Sequence, residues 1–324
     1  MFKNKNILII GDVMLDSYLF GDVTRISPEA PVPIVNISNK KDKLGGAANV
    51  AANIKNLGGN PILCSIVGND QNGKTFLSEL EKLGIKTNYI FQSKNRITTV
   101  KTRIIGNNHQ MLRIDEEVNK EMNGEQNEIL SLIKGTIDYE KIDCILFQDY
   151  DKGVINKKII KTIIEIGTKF NIPIAVDPKK KNFSDYSDVT LFKPNFKEFK
   201  EGLNINSSDD KLSILKKGAK KLHNKNIKIV FITLSESGIF ISYKKNDKII
   251  DKIIPGIPRD VIDVSGAGDT VISVASMLLN DINVEEIANI SNIAGGLVCE
   301  EIGVVPINKE KLLKEYKKIN QSYE

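Results

Sequence analysis

The residues best suited to chemistry form a glycine turn with an aspartate, placed just before an apolar run. The segment reads Asp263-Val-Ser-Gly-Ala-Gly-Asp269 and is followed by TVISVASMLL. A helix begins with unpaired N–H groups and partial positive charge, so its first turn attracts phosphate. Gly266 and Gly268 let the backbone approach an anion closely. Asp269 would then stand where a hydroxyl loses its proton as it attacks a phosphoryl group. The alternative, from this segment alone, is an ordinary N-cap aspartate.

A second glycine cluster lies nearer the start of the chain. Gly45 and Gly46 precede two alanines and Asn49 at a predicted helix start. Small side chains there let a polyol lie against the backbone, and the Asn49 amide both donates to and accepts from hydroxyls. Tight packing of a helix on a sheet would explain the alanines, but it explains the glycine pair less readily. We expect this cluster to bind hydroxyl groups.

Two other segments look like nucleotide-binding motifs. Gly68-Asn-Asp-Gln-Asn-Gly73-Lys74-Thr75 has the Walker A spacing between a predicted strand and a predicted helix. Its loop carries polar side chains and a carboxylate where bare N–H groups should wrap phosphate, so Lys74 is expected to be an exposed first-turn residue.

The turn at Gly11 lacks the later glycines of a dinucleotide fold. Asp12 and Asp16 are instead expected at the carboxyl end of a strand, where open α/β sheets bind ligands, and to bind hydroxyls there.

Composition excludes several classes of function. The 324 residues carry a net charge of +5, and the lysines are scattered, so a nucleic-acid partner is not expected. Three cysteines and two histidines lie far apart, without the spacing of a metal site or a disulfide framework. No apolar stretch is long enough to span a bilayer, and the first residues run directly into a strand-like segment. A cytoplasmic location without membrane contact is expected.

Short apolar runs alternate with helical patterns along most of the chain, which favours an α/β fold with a mostly parallel central sheet covered by helices on both faces. The predicted strands are 7–10, 62–67, 142–147, 172–176, 189–192, 229–234 and 239–243. The predicted helices are 46–57, 73–83, 156–169, 208–223, 267–279, 284–300 and 308–318.

Two stretches break this rhythm. Residues 13–44 contain three prolines among short alternating segments, and residues 96–115 are typical of a hairpin with its turn at 106–108. We interpret both as pieces of a small antiparallel lid, with irregular surface loops as the alternative. No interdomain linker is evident, so residues 1–324 are expected to form one domain. Apolar residues of the lid would be covered in a homodimer that pairs two lids.

Taken together, these motifs resemble those of the ribokinase-like (phosphofructokinase B) family of sugar kinases, over essentially the whole chain. The cluster from Gly45 to Asn49 continues with Gly58 and Gly68 at the spacing of the first family signature, and Asp263 to Asp269 fits the second. Both occur in the proper order and separation.

A narrower resemblance, to the D-glycero-β-D-manno-heptose-7-phosphate kinases of ADP-heptose and lipopolysaccharide core biosynthesis, is carried by four further segments. They are Gly11-Asp-Val-Met-Leu-Asp16, Arg25-Ile-Ser-Pro-Glu-Ala-Pro-Val-Pro33, Thr99-Val-Lys-Thr-Arg103 and Asp149-Tyr-Asp-Lys-Gly153. The resemblance implies phosphorylation of the anomeric hydroxyl of the heptose 7-phosphate. Many such proteins carry a following nucleotidyltransferase domain, which is expected here to be a separate protein. The alternatives are a kinase for another sugar, sugar phosphate or nucleoside, and a non-catalytic sugar-sensing module.

The resemblance also implies roles for individual residues, with ATP and Mg²⁺ as cofactors. Asp269 would be the base, and the N–H groups from Gly266 through Ala267 and Gly268 to Asp269 an anion hole. Asn195 and Glu198 would organise magnesium through water, with a helix capping box as a compatible alternative. The expected nucleotide side further includes Ser235, Gly238, Asp263 and Asn292, and the sugar side Asp12, Asp16, Gly45, Gly46 and Asn49. The 7-phosphate needs a cation, for which Lys101, Arg103, Arg113 and Lys179 are candidates.

Overall fold

The computed structural model describes residue 2 and residues 4–118, 124–206, 209–246 and 248–321, except for the side chains of residues 320 and 321. The strands are β1 (Asn6–Gly11), β2 (Val13–Ile26), β3 (Pro33–Gly46), β4 (Asn60–Gly68), β5 (Ile90–Ser93), β6 (Val100–Gly106), β7 (His109–Glu116), β8 (Cys144–Gln148), β9 (Ile174–Asp177), β10 (Leu191–Phe192), β11 (Ile229–Thr233), β12 (Ile239–Lys245) and β13 (Lys248–Ile254). The helices are α1 (Ala47–Leu57), α2 (Gln71–Lys82), α3 (Gln126–Tyr139), α4 (Lys157–Lys169), α5 (Phe196–Gly202), α6 (Lys211–His223), α7 (Ala267–Leu278), α8 (Val284–Val298) and α9 (Lys309–Gln321).

The larger sheet has the strand order β13-β12-β11-β10-β9-β8-β1-β4-β5. Its strands pair in parallel, except that β12 pairs antiparallel with both β11 and β13. Strand β1 lies between β4 and β8, with Ile9 opposite Leu63 and Leu146. The predicted mostly parallel sheet is therefore confirmed.

Helices cover both faces of this sheet because successive strand side chains point to opposite sides. Ile7 and Ile9 pack in one apolar cluster with residues of α1, α2, α7, α8 and α9. Leu8 and Ile10 pack in the other, with residues of α3, α4, α5 and α6. The two-faced arrangement confirms the α/β prediction. None of the described helices is both long and apolar enough to cross a membrane.

A second sheet has four strands in the order β3-β2-β6-β7. It contains most of both stretches predicted as a lid. The hairpin turn is confirmed, since Asn107 and Asn108, with φ of 50° and 65°, connect β6 to β7. The prediction of a purely antiparallel lid is wrong, because β2 pairs with β6 in parallel.

The first lid stretch also differs from the predicted short segments. Strands β2 and β3 are 14 residues each and pair antiparallel over most of their length. Pro28 and Pro31 lie in the turn between them, and Pro33 begins β3, so none of the three prolines interrupts a strand.

The structure contains four elements that the sequence did not predict. They are helices α3 and α5 and strands β5 and β13. Helix α6 begins at Lys211 because the Asp210 side chain accepts a hydrogen bond from the Ser213 N–H, as an N-cap does. Its predicted start at residue 208 lies outside the described residues.

Candidate active site

A cavity of about 180 Å³ opens where the central parallel strands end. Its lining comes from the ends of β8 to β11 and from the starts of α5 and α7, so the topology of the sheet gathers residues that are distant in sequence. The lining residues are Tyr150, Asp177, Lys179, Lys193, Asn195, Glu198, Thr233, Gly266, Gly268 and Asp269. Six of these ten were predicted as site residues from the sequence.

The Asp269 carboxylate lies in the first turn of α7 and is 5% exposed. Its Oδ1 accepts hydrogen bonds from Gln148 Nε2 at 2.9 Å and from the Tyr150 hydroxyl at 2.6 Å. Its Oδ2 accepts from Asn49 Nδ2 at 2.8 Å. Burial raises the pKa of Asp269 to about 6, and the bonds from Tyr150 and Asn49 offset part of that rise. The carboxylate can thus exchange a proton near neutral pH.

Two glycines shape the helix start beside this carboxylate. Gly266 has φ of 81°, a left-handed conformation, and an added Cβ would lie 2.9 Å from Asn49 Nδ2. The Ala267 N–H donates to the Val264 carbonyl at 3.3 Å, so it is already engaged. The N–H groups of Gly268 and Asp269 have no hydrogen-bond acceptor within the described parts of the chain. These two groups are available to an anion.

A buried ion pair lies next to the helix start. Lys193 Nζ is 3.0 Å from Asp177 Oδ2, and both side chains are almost fully buried. An added Cβ on Gly268 would lie 3.6 Å from Lys193 Nζ, so the ammonium group is close to the free N–H groups. Gln148 Nε2 donates to Asp177 as well as to Asp269 and joins the two carboxylates. None of these three residues was predicted as a site residue.

Asn195 and Glu198 form the capping box that was the alternative interpretation of this segment. The Asn195 side chain accepts from the Glu198 N–H, and the Glu198 carboxylate accepts from the Asn195 N–H, each at 2.8 Å. The other carboxylate oxygen of Glu198 forms an ion pair with Lys179. Lys179 therefore lies with Asn195 and Glu198, whereas Lys101 and Arg103, grouped with it as candidates for a phosphate, lie on β6.

Three residues of the C-terminal half that were predicted to bind the nucleotide lie around residues 255–256. Gly238, with φ of 91°, touches this segment so closely that an added Cβ would lie 2.1 Å from the Ile254 carbonyl. Asn292 donates to the Pro255 carbonyl at 2.7 Å. Ser235 is exposed at the start of the short turn that ends at Gly238. The structure thus brings these three predicted residues together around one segment.

Another group of predicted residues meets where the two sheets adjoin. Asp16 Oδ1 lies 2.5 Å from Arg103 Nη1, and the guanidinium covers the Tyr18 ring at 5.3 Å. An added Cβ on Gly45 would lie 2.2 Å from Asp16 Oδ2, which explains the glycine. Gly46, with φ of 60°, is the N-cap of α1 and so precedes Asn49 by less than one turn.

Asp263 has backbone partners in the same region. It accepts from the N–H groups of Ser265 and Gly303, each at 2.9 Å, and so joins the loop before α7 to the segment after α8. Burial raises the pKa of Asp263, but the hydrogen bonds from Ser265 and Gly303, with the charge of Arg103, together hold it below its usual value.

Three other predicted residues have different partners from those expected. Asp12 accepts hydrogen bonds from the backbone N–H groups of residues 150, 152 and 154, so it holds that segment in place, and only one of its lone pairs remains for a sugar hydroxyl. Lys101 and Arg113 form ion pairs with Asp115, and Lys101 also with Glu117. Their charges are already compensated, which does not favour a role as free phosphate-binding cations.

The Walker A look-alike has no open phosphate niche. The Asp70 side chain caps α2 by accepting from the Gly73 N–H at 2.7 Å, and it also accepts from Thr98. A carboxylate thus fills the position that a phosphate would take, and Lys74 is exposed. The expectation that Lys74 is an exposed first-turn residue is confirmed.

Lys74→Ala is expected to change kcat for phosphoryl transfer by less than about threefold, because a surface substitution away from any partner has little effect. Steady-state kinetics with saturating nucleotide would measure this change. A loss of a hundredfold or more would restore the Walker A interpretation.

Known proteins resemble this chain in sequence and in fold. Residues 4–311 match the model of the pfkB family of carbohydrate kinases. The chain is 40% identical over 320 residues to the bifunctional protein HldE of Campylobacter jejuni, and 38% identical over 323 residues to that of Aliarcobacter butzleri. These alignments cover 98% and 99% of the chain, which spans 66% of the length of each relative.

Solved structures show the same fold at low sequence identity. Phosphofructokinase-2 of Escherichia coli aligns with a TM-score of 0.78 at 17% identity, covering 98% of this chain and all of that one. Ribokinase of Arabidopsis thaliana, complexed with ribose and ATP, aligns with a TM-score of 0.71 at 18% identity, covering 96% and 99%. With the family match across nearly the whole chain, these findings identify the protein as a sugar kinase of the pfkB carbohydrate kinase family.

Proposed function

We propose that this kinase transfers the γ-phosphoryl group of ATP to the anomeric hydroxyl of D-glycero-β-D-manno-heptose 7-phosphate and forms the 1,7-bisphosphate. The observation that carries the chemistry is the buried Asp269 carboxylate beside two free N–H groups and Lys193. The choice of heptose is supported by the sequence segments given above and by the 36–40% identity to proteins named HldE.

In the proposed step, the acceptor hydroxyl gives its proton to Asp269 while its oxygen forms a bond to the γ-phosphorus. The bond from that phosphorus to the β–γ bridging oxygen breaks, and ADP leaves. The N–H groups of Gly268 and Asp269, together with Lys193, would stabilise the negative charge on the transferred group. All three are held in place by the fold, so little reorganisation is needed during transfer.

Magnesium fits the cavity as an ion held mainly by nucleotide phosphates and water. The described residues contain no cluster of three or more His, Cys, Asp or Glu side chains suited to a metal. Mg²⁺ needs only one or two carboxylates when phosphates and water complete its coordination. Glu198 would hold it through water, and Asp177 Oδ1, buried without a partner among the described residues, is a second candidate. When bound, the ion would neutralise phosphate charge.

The nucleotide would extend from the start of α7 towards the surface formed by Ser235, Gly238 and Asn292. Thr233 lines the cavity at the end of β11, directly before the turn that carries Ser235. Lys179 belongs on this side because it lines the same cavity as Gly268. Asp263 would act indirectly, by fixing the loop before α7 through its two backbone partners.

The sugar would lie between Asn49 and the second sheet. Asp16 and Asn49 are buried polar residues beside the glycine pair, where a polyol can approach the backbone. Arg103 is our candidate for the 7-phosphate, because its guanidinium can bind phosphate in a bidentate manner while Asp16 orients it. Lys101 and Arg113 are weaker candidates, because Lys101 binds two carboxylates and Arg113 binds Asp115 through both Nε and Nη2. Arg103 binds Asp16 through Nη1 alone.

A panel of sugar phosphates, sugars and nucleosides with MgATP tests the substrate assignment. We expect kcat/KM to be highest for the heptose 7-phosphate. The unphosphorylated heptose lacks the charged pair with its phosphate, so its transition state should be stabilised by about 2–5 kcal/mol less. A higher kcat/KM for a hexose, pentose or nucleoside would overturn the heptose assignment but leave the kinase assignment in place.

We also propose a homodimer that pairs the second sheets of two copies. Exposed apolar side chains on β7 and near the start of β3 support this: Val32, Ile37, Met111, Leu112 and Ile114 are each 43–54% exposed. Exposed apolar side chains on edge strands gain by being covered. Light scattering at micromolar concentration should give twice the mass of one chain, and a monomer with full activity would exclude the dimer as a requirement.

The proposed product would enter ADP-heptose and lipopolysaccharide core biosynthesis in the cytoplasm. A bisphosphate of this kind needs a nucleotidyltransferase step afterwards. Assays of purified protein for nucleotide transfer to the product would test which polypeptide performs that step.

A further inference from the structure

The Tyr150 hydroxyl completes the occupation of one oxygen of the carboxylate that we assign as the base. Its hydroxyl donates to Asp269 Oδ1 at 2.6 Å, alongside the bond from Gln148 to the same oxygen. A carboxylate has about four lone-pair positions, two on each oxygen. With Asn49 donating to Oδ2, three positions are occupied, and both of those on Oδ1. Oδ1 can therefore accept a proton only after one of its two donors has moved.

Tyr150 is the least buried of the three donors. Gln148 and Asn49 are each 1% exposed, whereas Tyr150 is half-buried and lines the cavity. The ring lies against the Lys179 ammonium, with 5.2 Å from Nζ to the ring centroid. Asp12 holds the backbone at residue 150 through its N–H, so displacement of the phenol is expected to involve the side chain rather than the loop.

We propose that Tyr150 is a positioning residue that occupies Asp269 until an acceptor hydroxyl displaces the phenol, and that it thereby suppresses transfer of the phosphoryl group to water. The inference rests on the proposed role of Asp269 as the base. In the suppressed reaction a water oxygen would bond to the γ-phosphorus, the β–γ bridging bond would break to release ADP, and the water proton would pass to Asp269. A phenol in place leaves that proton no free position on Oδ1, the oxygen that Tyr150 and Gln148 share.

The test is ATP hydrolysis by Tyr150→Phe in the absence of any sugar. The phenyl ring keeps the packing and the contact with Lys179 but frees one position on Asp269. Because a positioned base contributes about 10²–10⁴-fold, we expect sugar-independent hydrolysis to rise at least about fivefold. The KM for the sugar should fall or stay constant, since the acceptor no longer has to displace a hydrogen bond.

Tyr89→Phe is a matched control. It also removes a phenol-to-carboxylate hydrogen bond of 2.6 Å, from Tyr89 to Glu140, but outside the residues that line the cavity. Its ATP hydrolysis should equal that of the unaltered chain.

The pH profile of hydrolysis gives a second readout. Burial holds the pKa of Asp269 at about 6, and the bond from Tyr150 lowers it, with Asp177, Lys179 and Lys193 as the charged neighbours. A base acts when ionised, so the rate falls as the pH drops through this pKa. Loss of the phenol raises the pKa, and the acid limb should therefore move to higher pH in Tyr150→Phe.

Two results would overturn the inference. One is unchanged hydrolysis and an unchanged acid limb in Tyr150→Phe. The other is a joint loss of hydrolysis and sugar phosphorylation in a variant that melts at the temperature of the unaltered chain. Because hydrolysis is measured with MgATP alone, a failure of the heptose assignment would appear in the substrate panel and leave this comparison intact.

Discussion

Asp269→Asn is expected to lower kcat by about 10²–10⁴-fold, which is the usual effect of losing a general base. The amide has nearly the shape of the carboxylate but takes up no proton at neutral pH. Its NH₂ group would face either Asn49, in place of Oδ2, or both Gln148 and Tyr150, in place of Oδ1. Nucleotide binding should be largely retained, because the N–H groups of the helix start remain.

Single-turnover kinetics and nucleotide titration of the variant would separate the two effects. Unfolding must be measured as well, since one mismatched buried donor costs about 1–3 kcal/mol. Asp70→Asn is the matched control, because that carboxylate also lies at a helix start and also accepts three hydrogen bonds, but outside the cavity. Near-normal turnover in Asp269→Asn would rule out the proposed mechanism.

Lys193→Met is expected to lower kcat by about 10²–10³-fold, the effect of removing one preorganised group that stabilises transition-state charge. It should also destabilise the fold by about 3–5 kcal/mol, because the buried Asp177 carboxylate loses its partner at 3.0 Å. Chemical denaturation measures the second effect, and steady-state kinetics the first.

A double variant separates the two consequences of losing Lys193. Asp177→Asn combined with Lys193→Met removes both charges and keeps an acceptor oxygen for Gln148. The double variant should regain most of the free energy of unfolding that Lys193→Met loses, while its kcat stays low. Recovery of kcat together with stability would mean that Lys193 acts only in folding.

The parts of the site that are contiguous in sequence were predictable. Gly266, Gly268 and Asp269 share one helix start, and Gly45, Gly46 and Asn49 share another, so glycine chemistry and helix signals were sufficient to find them. The spacing of the apolar runs likewise predicted the parallel sheet and its two layers of helices.

The parts that depend on strand order were not predictable in the same way. Gln148, Asp177 and Lys193 follow or end three different strands, and only the order β8-β9-β10 places them side by side. A usable signal was present, because each is a polar residue at the end of a predicted apolar strand.

The pairing of surface charges could not be predicted either, because it depends on the register between neighbouring strands. Lys101 and Arg113 were candidates for a phosphate site on the basis of residue type alone. The pairing of β6 with β7 sets Lys101 opposite Asp115, which then binds both cations. The parallel pairing of β2 with β6 was missed for the same reason, because it joins strands more than 80 residues apart.

The most direct test of the proposed activity is phosphorus NMR of the reaction of the purified chain with MgATP and D-glycero-β-D-manno-heptose 7-phosphate. The account predicts one new sugar phosphorus signal, coupled to the anomeric proton, that grows in step with ADP. A new phosphate at another carbon, or ADP formed together with free phosphate and no new sugar signal, would contradict it.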